Sequence, residues 1–86
     1  MPGGTARRLY RIYYTVYDDN AHRRVVEELK SEFKVEVVDH PSRVLPEFRF
    51  LELLLSEPGR EDDIRRVVER VIGGGSVKVD WIDTSR

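Results

Sequence analysis

The sequence predicts an α+β domain with the element order β-α-β-β-α-β. Three observations predict it. Four segments (9–17, 34–39, 48–55 and 77–81) are rich in β-formers and alternate with period two. Two segments between them, 25–33 and 64–72, carry apolar residues at helical spacing. An internal repeat links the halves: Arg23-Arg24-Val25-Val26-Glu27 recurs as Arg65-Arg66-Val67-Val68-Glu69, offset by 42. At the same offset Val35 and Val37 match Val77 and Val79, so that 19–39 and 61–81 share seven identities in 21 pairs.

Each element follows in order. Along the first strand Tyr10, Ile12, Tyr14 and Val16 share one uncharged face, expected to meet the core. Leu9, Arg11, Tyr13, Thr15 and Tyr17 share the other. Asp18-Asp19-Asn20 then supplies a helix cap, because these side chains accept free backbone N–H groups and suit the macrodipole. Val25, Val26, Leu29 and Phe33 form the stripe of the first helix. Lys34 to Asp39 reads as the second strand, with Val35 and Val37 on one face. His40-Pro41-Ser42-Arg43 is a turn, since proline lacks a donor and fixes φ.

The third strand, Phe48 to Leu55, has a choice of faces. Burying Glu52 in mid-strand without a partner would cost several kcal/mol, whereas Arg49 near the start can reach water. Leu51, Leu53 and Leu55 are therefore expected inward, with Phe48, Phe50, Glu52 and Leu54 outward. Ser56-Glu57-Pro58-Gly59 breaks the strand and Glu61-Asp62-Asp63 opens the second helix. That helix buries Ile64, Val67, Val68, Val71 and Ile72 and stops at Gly73-Gly74-Gly75. Val77, Val79 and Trp81 mark the last strand.

Two repeated split β-α-β halves resemble the ferredoxin-like superfamily over residues 9–82. The resemblance implies a two-layer α/β plait with strand order 4-1-3-2, all neighbours antiparallel, and both helices on one face. We expect a lead-in over residues 1–6, one domain over 7–83 and a tail over 84–86.

Composition narrows function. The chain has 86 residues, 15 Lys or Arg, 16 Asp or Glu, and a net charge of −1. With no cysteine it has no disulfide, thiolate metal site or cysteine nucleophile. Its longest apolar runs are three residues, against the ~20 that span a bilayer. Met1 to Ala6 lacks the apolar stretch of a signal peptide. A cytoplasmic, non-enzymatic domain without cofactor or membrane partner is expected. The agreement of patterning, caps and turns also suits a designed scaffold without an evolved function, whereas the bias of the cations to arginine and the irregular His40–Pro46 turn favour a natural one.

Two constellations remain. The open face is expected to present Tyr13, Tyr17, Phe48, Phe50, Leu54 and Arg11, a large apolar patch of the kind that marks an interface. Self-association or protein binding there is the leading expectation, because a balanced charge pattern suits a self-complementary surface. Phe48-Arg49-Phe50-Leu51-Glu52-Leu53 also resembles the third-strand signature of RNA-recognition domains, which implies base stacking on Phe48 and Phe50. Against nucleic acid stands the balance of Arg11, Lys34 and Lys78 with Glu36, Glu52 and Asp80 on that face. At one end of the sheet Asp18, His22, Asp39 and His40 are the candidate metal ligands or acid/base groups. Tyr17-Asp18 followed by Arg23-Arg24 is similar to the CRISPR spacer-acquisition nucleases, which would imply a metal-dependent dimer using Asp18. The glycine-bearing loops of ACT domains and acylphosphatases after the first strand are absent.

Overall fold

A computed structural model describes residues 7–84. The expected lead-in 1–6, and residues 85 and 86 of the expected tail, lie outside the described residues. The elements are β1 (Arg8–Thr15), α1 (Asp19–Phe33), β2 (Val38–Asp39), β3 (Phe48–Leu55), α2 (Glu61–Ile72) and β4 (Val77–Asp83). They form one four-stranded sheet in the order β2-β3-β1-β4 with antiparallel neighbours, and two helices. This is the α+β order expected, read from the other edge.

The alternation places the core as the sequence implies. Tyr10, Ile12 and Tyr14 of β1 and Leu51, Leu53 and Leu55 of β3 are buried on one face. Val25 and Leu29 of α1 and Ile64, Val67 and Val68 of α2 close over them. Burying a large aliphatic or aromatic side chain stabilises by roughly 1.5–3 kcal/mol, so these positions carry most of the fold. Tyr10 is fully buried, yet its hydroxyl donates to the Glu57 carbonyl at 2.8 Å and accepts the Arg60 N–H at 3.3 Å. That second bond satisfies an N–H at the start of α2, where no side-chain cap exists.

The helix ends follow their residues. Asp18 accepts the Asn20 N–H at 2.9 Å at the start of α1. Gly73 ends α2 with φ 79°, its N–H on the Glu69 carbonyl, and Gly74 and Gly75 continue at φ 114° and 99°. Three successive positive φ values explain the glycine run, because other residues pay sterically there.

Some boundaries differ from expectation. The second strand shrinks from 34–39 to Val38–Asp39, extended by one bond from His40 N–H to the Phe50 carbonyl. The cause is Lys34, which closes α1 in the left-handed region at φ 58°, leaving Val35 and Val37 to pack on the core while the chain travels to the sheet edge. β1 stops at Thr15, so Tyr17 lies in the loop before α1. At the other end Thr84 donates its N–H to the Arg7 carbonyl and continues the β1–β4 ladder. Arg49 does not reach for water. It turns toward the helix side, 12% exposed, where Nε donates to the Val16 carbonyl at 3.0 Å and Nη2 to Asp19 at 2.9 Å. The chain leaves the sheet at Val16, which frees that carbonyl for a side-chain donor.

Candidate functional site

The open face is read off the strand register. Alternation sends Leu9, Arg11, Tyr13 and Thr15 of β1 to the side without helices. Opposite them on β3 stand Leu54, Glu52, Phe50 and Phe48. On β4, Ile82, Asp80 and Lys78 face Leu9, Arg11 and Tyr13. Val38 lies beside Glu52, and the His40–Phe50 bond carries His40 to the same face. The face is therefore banded. An aromatic row runs His40, Phe50, Tyr13 and ends at Lys78. A charged row follows with Glu52, Arg11 and Asp80, then an aliphatic row of Leu54, Leu9 and Ile82.

The aromatic row is a ladder. Tyr13 and Phe50 stack with centroids 4.9 Å apart and planes 2° from parallel, and His40 stacks on Phe50 at 4.8 Å. Those separations match the ~4.8 Å between neighbouring strands, so the rings face one another across strands and stand up from the sheet. Both faces of Phe50 are thereby taken. Lys78 Nζ lies 6.0 Å from the remaining face of Tyr13.

The charged row is hydrogen-bonded internally. Arg11 Nε donates to Asp80 at 2.9 Å, and His40 Nε2 meets Glu52 at 2.7 Å. The Asp80 hydrogen bond is the chief reason that the Arg11 pKa rises above its ordinary value, with the nearby negative charges adding to it and partial burial opposing it. Lys34 and Glu36, expected on this face, precede β2. Two cations, Arg11 and Lys78, thus face two carboxylates, Glu52 and Asp80.

Exposure separates the expected anchors. Phe48 and Leu54 are 51% and 41% exposed on the face, and Val38 and Ile82 join them at 51% and 43%. Tyr17 is 81% exposed but off the sheet, and takes no part in the ladder. At the Phe48 end a groove of about 620 Å³ opens over Tyr13, Phe50 and His40, walled by Pro41 and Ser42 on one side and Lys78 on the other.

The second constellation divides. His22 on α1 is buried and bridges two elements: its Nδ1 meets the Tyr14 hydroxyl at 2.7 Å and its Nε2 meets Asp39 Oδ2 at 2.9 Å. A carboxylate only accepts, so Nε2 carries the proton toward Asp39. Burial, then the Asp39 charge, push the Tyr14 pKa upward against the weaker opposing effect of Arg49. The phenol therefore stays protonated, and its hydroxyl gives the second imidazole nitrogen a hydrogen-bond partner away from water. Asp18 is occupied as the α1 cap, and His40 points to the other face of the sheet. Among the described residues no group of three His, Cys, Asp or Glu side chains is arranged to hold a metal ion. The Tyr14–His22–Asp39 chain satisfies buried polar groups and clamps α1 to the sheet.

Sequence reasoning overlooked the part of Tyr14 in this chain, although a buried tyrosine that must place its hydroxyl was a signal. It also overlooked Val38 and Ile82, whose faces depend on register. Compared with protein-family models, with curated proteins and with solved structures, the chain finds no match. Among the described residues no helix is long and apolar enough to cross a membrane.

Proposed function

We propose that the chain is a ferredoxin-like domain that works without catalysis, by associating with a second copy of itself through the open face of its sheet. The observation that carries this reading is the banding of that face. Exposed Phe48, Val38, Leu54 and Ile82 surround a row whose Arg11, Glu52 and Asp80 are already hydrogen-bonded, so each charged group of that row keeps a partner when the row is covered. A twofold axis along the strands, between β1 and β3, keeps each row opposite itself. It lays Arg11 of one copy over Glu52 of the other and aliphatic row on aliphatic row. A twofold across the strands would instead set Arg11 against Arg11, which disfavours it.

Base stacking has weaker support. RNA-recognition domains offer ring faces to bases, whereas Phe50 spends both faces on Tyr13 and His40. The charge balance of the face likewise gives no surplus for phosphate.

Sedimentation equilibrium from micromolar to millimolar protein tests the reading. A dimer is expected, abolished by Phe48→Ala with Phe50→Ala while the far-UV circular dichroism stays unchanged. A protein that remains monomeric across the range sinks the proposal.

A further inference from the structure

The groove at the Phe48 end of the open face has a chemistry that the rest of the face lacks. Its volume, about 620 Å³, falls within the roughly 300–1,000 Å³ of small-molecule sites. Lys78 and His40 line it, as does Arg49 from a strand position whose guanidinium lies on the helix side, and no carboxylate does, in a chain of net charge −1. Two of these three are committed elsewhere: Arg49 to the Val16 carbonyl and Asp19, His40 to Glu52. Lys78 differs. Among the described residues no carboxylate lies within ion-pair distance of it, and its nearest π partner is Tyr13 at 6.0 Å. One wall of the groove therefore holds an exposed, unneutralised ammonium.

The floor adds a shape. His40, Phe50 and Tyr13 stand edge-up, stacked at 4.8 and 4.9 Å. Ring edges carry the positive rim of the quadrupole, so the complementary surface is the π face of a flat ring laid across them. A saturated ring or an extended aliphatic chain offers no such face. Charge and floor together select one class of occupant.

We infer that this groove binds a small planar aromatic anion, its ring across the edges of Tyr13 and Phe50 and its anionic group at Lys78 Nζ. Binding is independent of whether the face also self-associates, but a dimer built on that face would cover the groove and compete with the ligand.

The test is a titration with 2-naphthoate followed by NMR, in dilute protein that sedimentation shows to be a single species. Saturable shifts are expected at Tyr13, Phe50, Lys78 and Ser42. The neutral isostere naphthalene-2-carboxamide and the non-planar anion cyclohexanecarboxylate should each bind weaker by a factor of about ten or more, since each lacks one of the two interactions. Lys78→Met, an exposed position, should bring 2-naphthoate down to the level of the amide without changing the melting temperature. Absence of saturable shifts at millimolar 2-naphthoate overturns the inference, as do equal binding of the carboxamide or shifts centred outside the groove. Tighter binding of an oligouridylate would overturn it in favour of nucleic acid. If no dimer forms at any concentration but 2-naphthoate binds as described, self-association fails while the ligand site stands.

Discussion

Tyr14→Phe isolates one hydroxyl whose role is fixed by its partners. The ring is 4% exposed and the hydroxyl is hydrogen-bonded to His22 Nδ1 at 2.7 Å, with His22 itself buried. Phenylalanine fills nearly the same space, so cavity formation contributes little. What is lost is the hydrogen-bond partner of a buried imidazole nitrogen, and an unsatisfied buried polar atom costs about 1–3 kcal/mol. For a domain of this size roughly 1.5 kcal/mol lowers Tm by about 6–12 °C. The pH dependence adds a second signature. Burial raises the folded pKa of Tyr14 above the ordinary value of 10.0. A raised folded pKa means that the stabilisation is fully present below pH 10, where both states keep the proton. It is lost as pH rises from the unfolded toward the folded value, at up to about 1.4 kcal/mol per pH unit. Urea denaturation of wild type and Tyr14→Phe from pH 7 to pH 11.5 measures both effects. The wild-type advantage should be about 1–3 kcal/mol at neutral pH and shrink steadily above pH 10. Equal stability at pH 7 would refute the hydrogen-bonding assignment, and a difference that stays flat to pH 11.5 would refute the burial-raised pKa.

Three further substitutions probe other parts of the fold. Leu51→Ala removes a side chain that is fully buried between the sheet and the helices, and should cost about 2–5 kcal/mol in chemical denaturation. Lys34→Gly should stabilise by a few tenths to about 1 kcal/mol, because glycine adopts the left-handed φ of 58° without the steric cost that lysine pays; a fall in Tm would show that the Lys34 side chain contributes more than its backbone costs. Gly74→Ala meets no atom within 4 Å but must hold φ 114°, so a loss of about 1–3 kcal/mol is expected from backbone strain alone, and unchanged stability would mean that the connector relaxes.

The parts of the fold that were legible in the sequence are those governed by period. Alternation alone assigns Tyr10, Ile12, Tyr14, Leu51, Leu53 and Leu55 to the core, because a one-residue slip would bury Arg11 and Glu52. Glycine and acidic runs mark the helix ends for equally local reasons. Length of pairing was not legible. Val35 and Val37 alternate like a strand, but hydrogen bonding begins only where the chain, leaving α1 at Lys34, has come beside β3. Arg49 escaped sequence reasoning because its partner is a main-chain carbonyl, which no residue type announces.

The open face shows where such reading stops. Composition and parity place Tyr13 and Phe50 side by side, and from there a base-stacking platform and an assembly surface look alike. The distinction lies in ring orientation, which is set across strands. Phe50 has a ring neighbour on each side at about the interstrand spacing, so stacking within the row satisfies its faces and turns its edges outward. A row of edges with one unpaired lysine at its end is a poor platform for bases laid on ring faces. It suits a surface that meets a flat anion or another apolar face. Replacing His40 with alanine would free one face of Phe50 and release Glu52, and should shift the site toward binding neutral planar rings. Titrating His40→Ala with naphthalene-2-carboxamide reads this directly, and binding no tighter than that of wild type would show that the ladder does not govern what the face accepts.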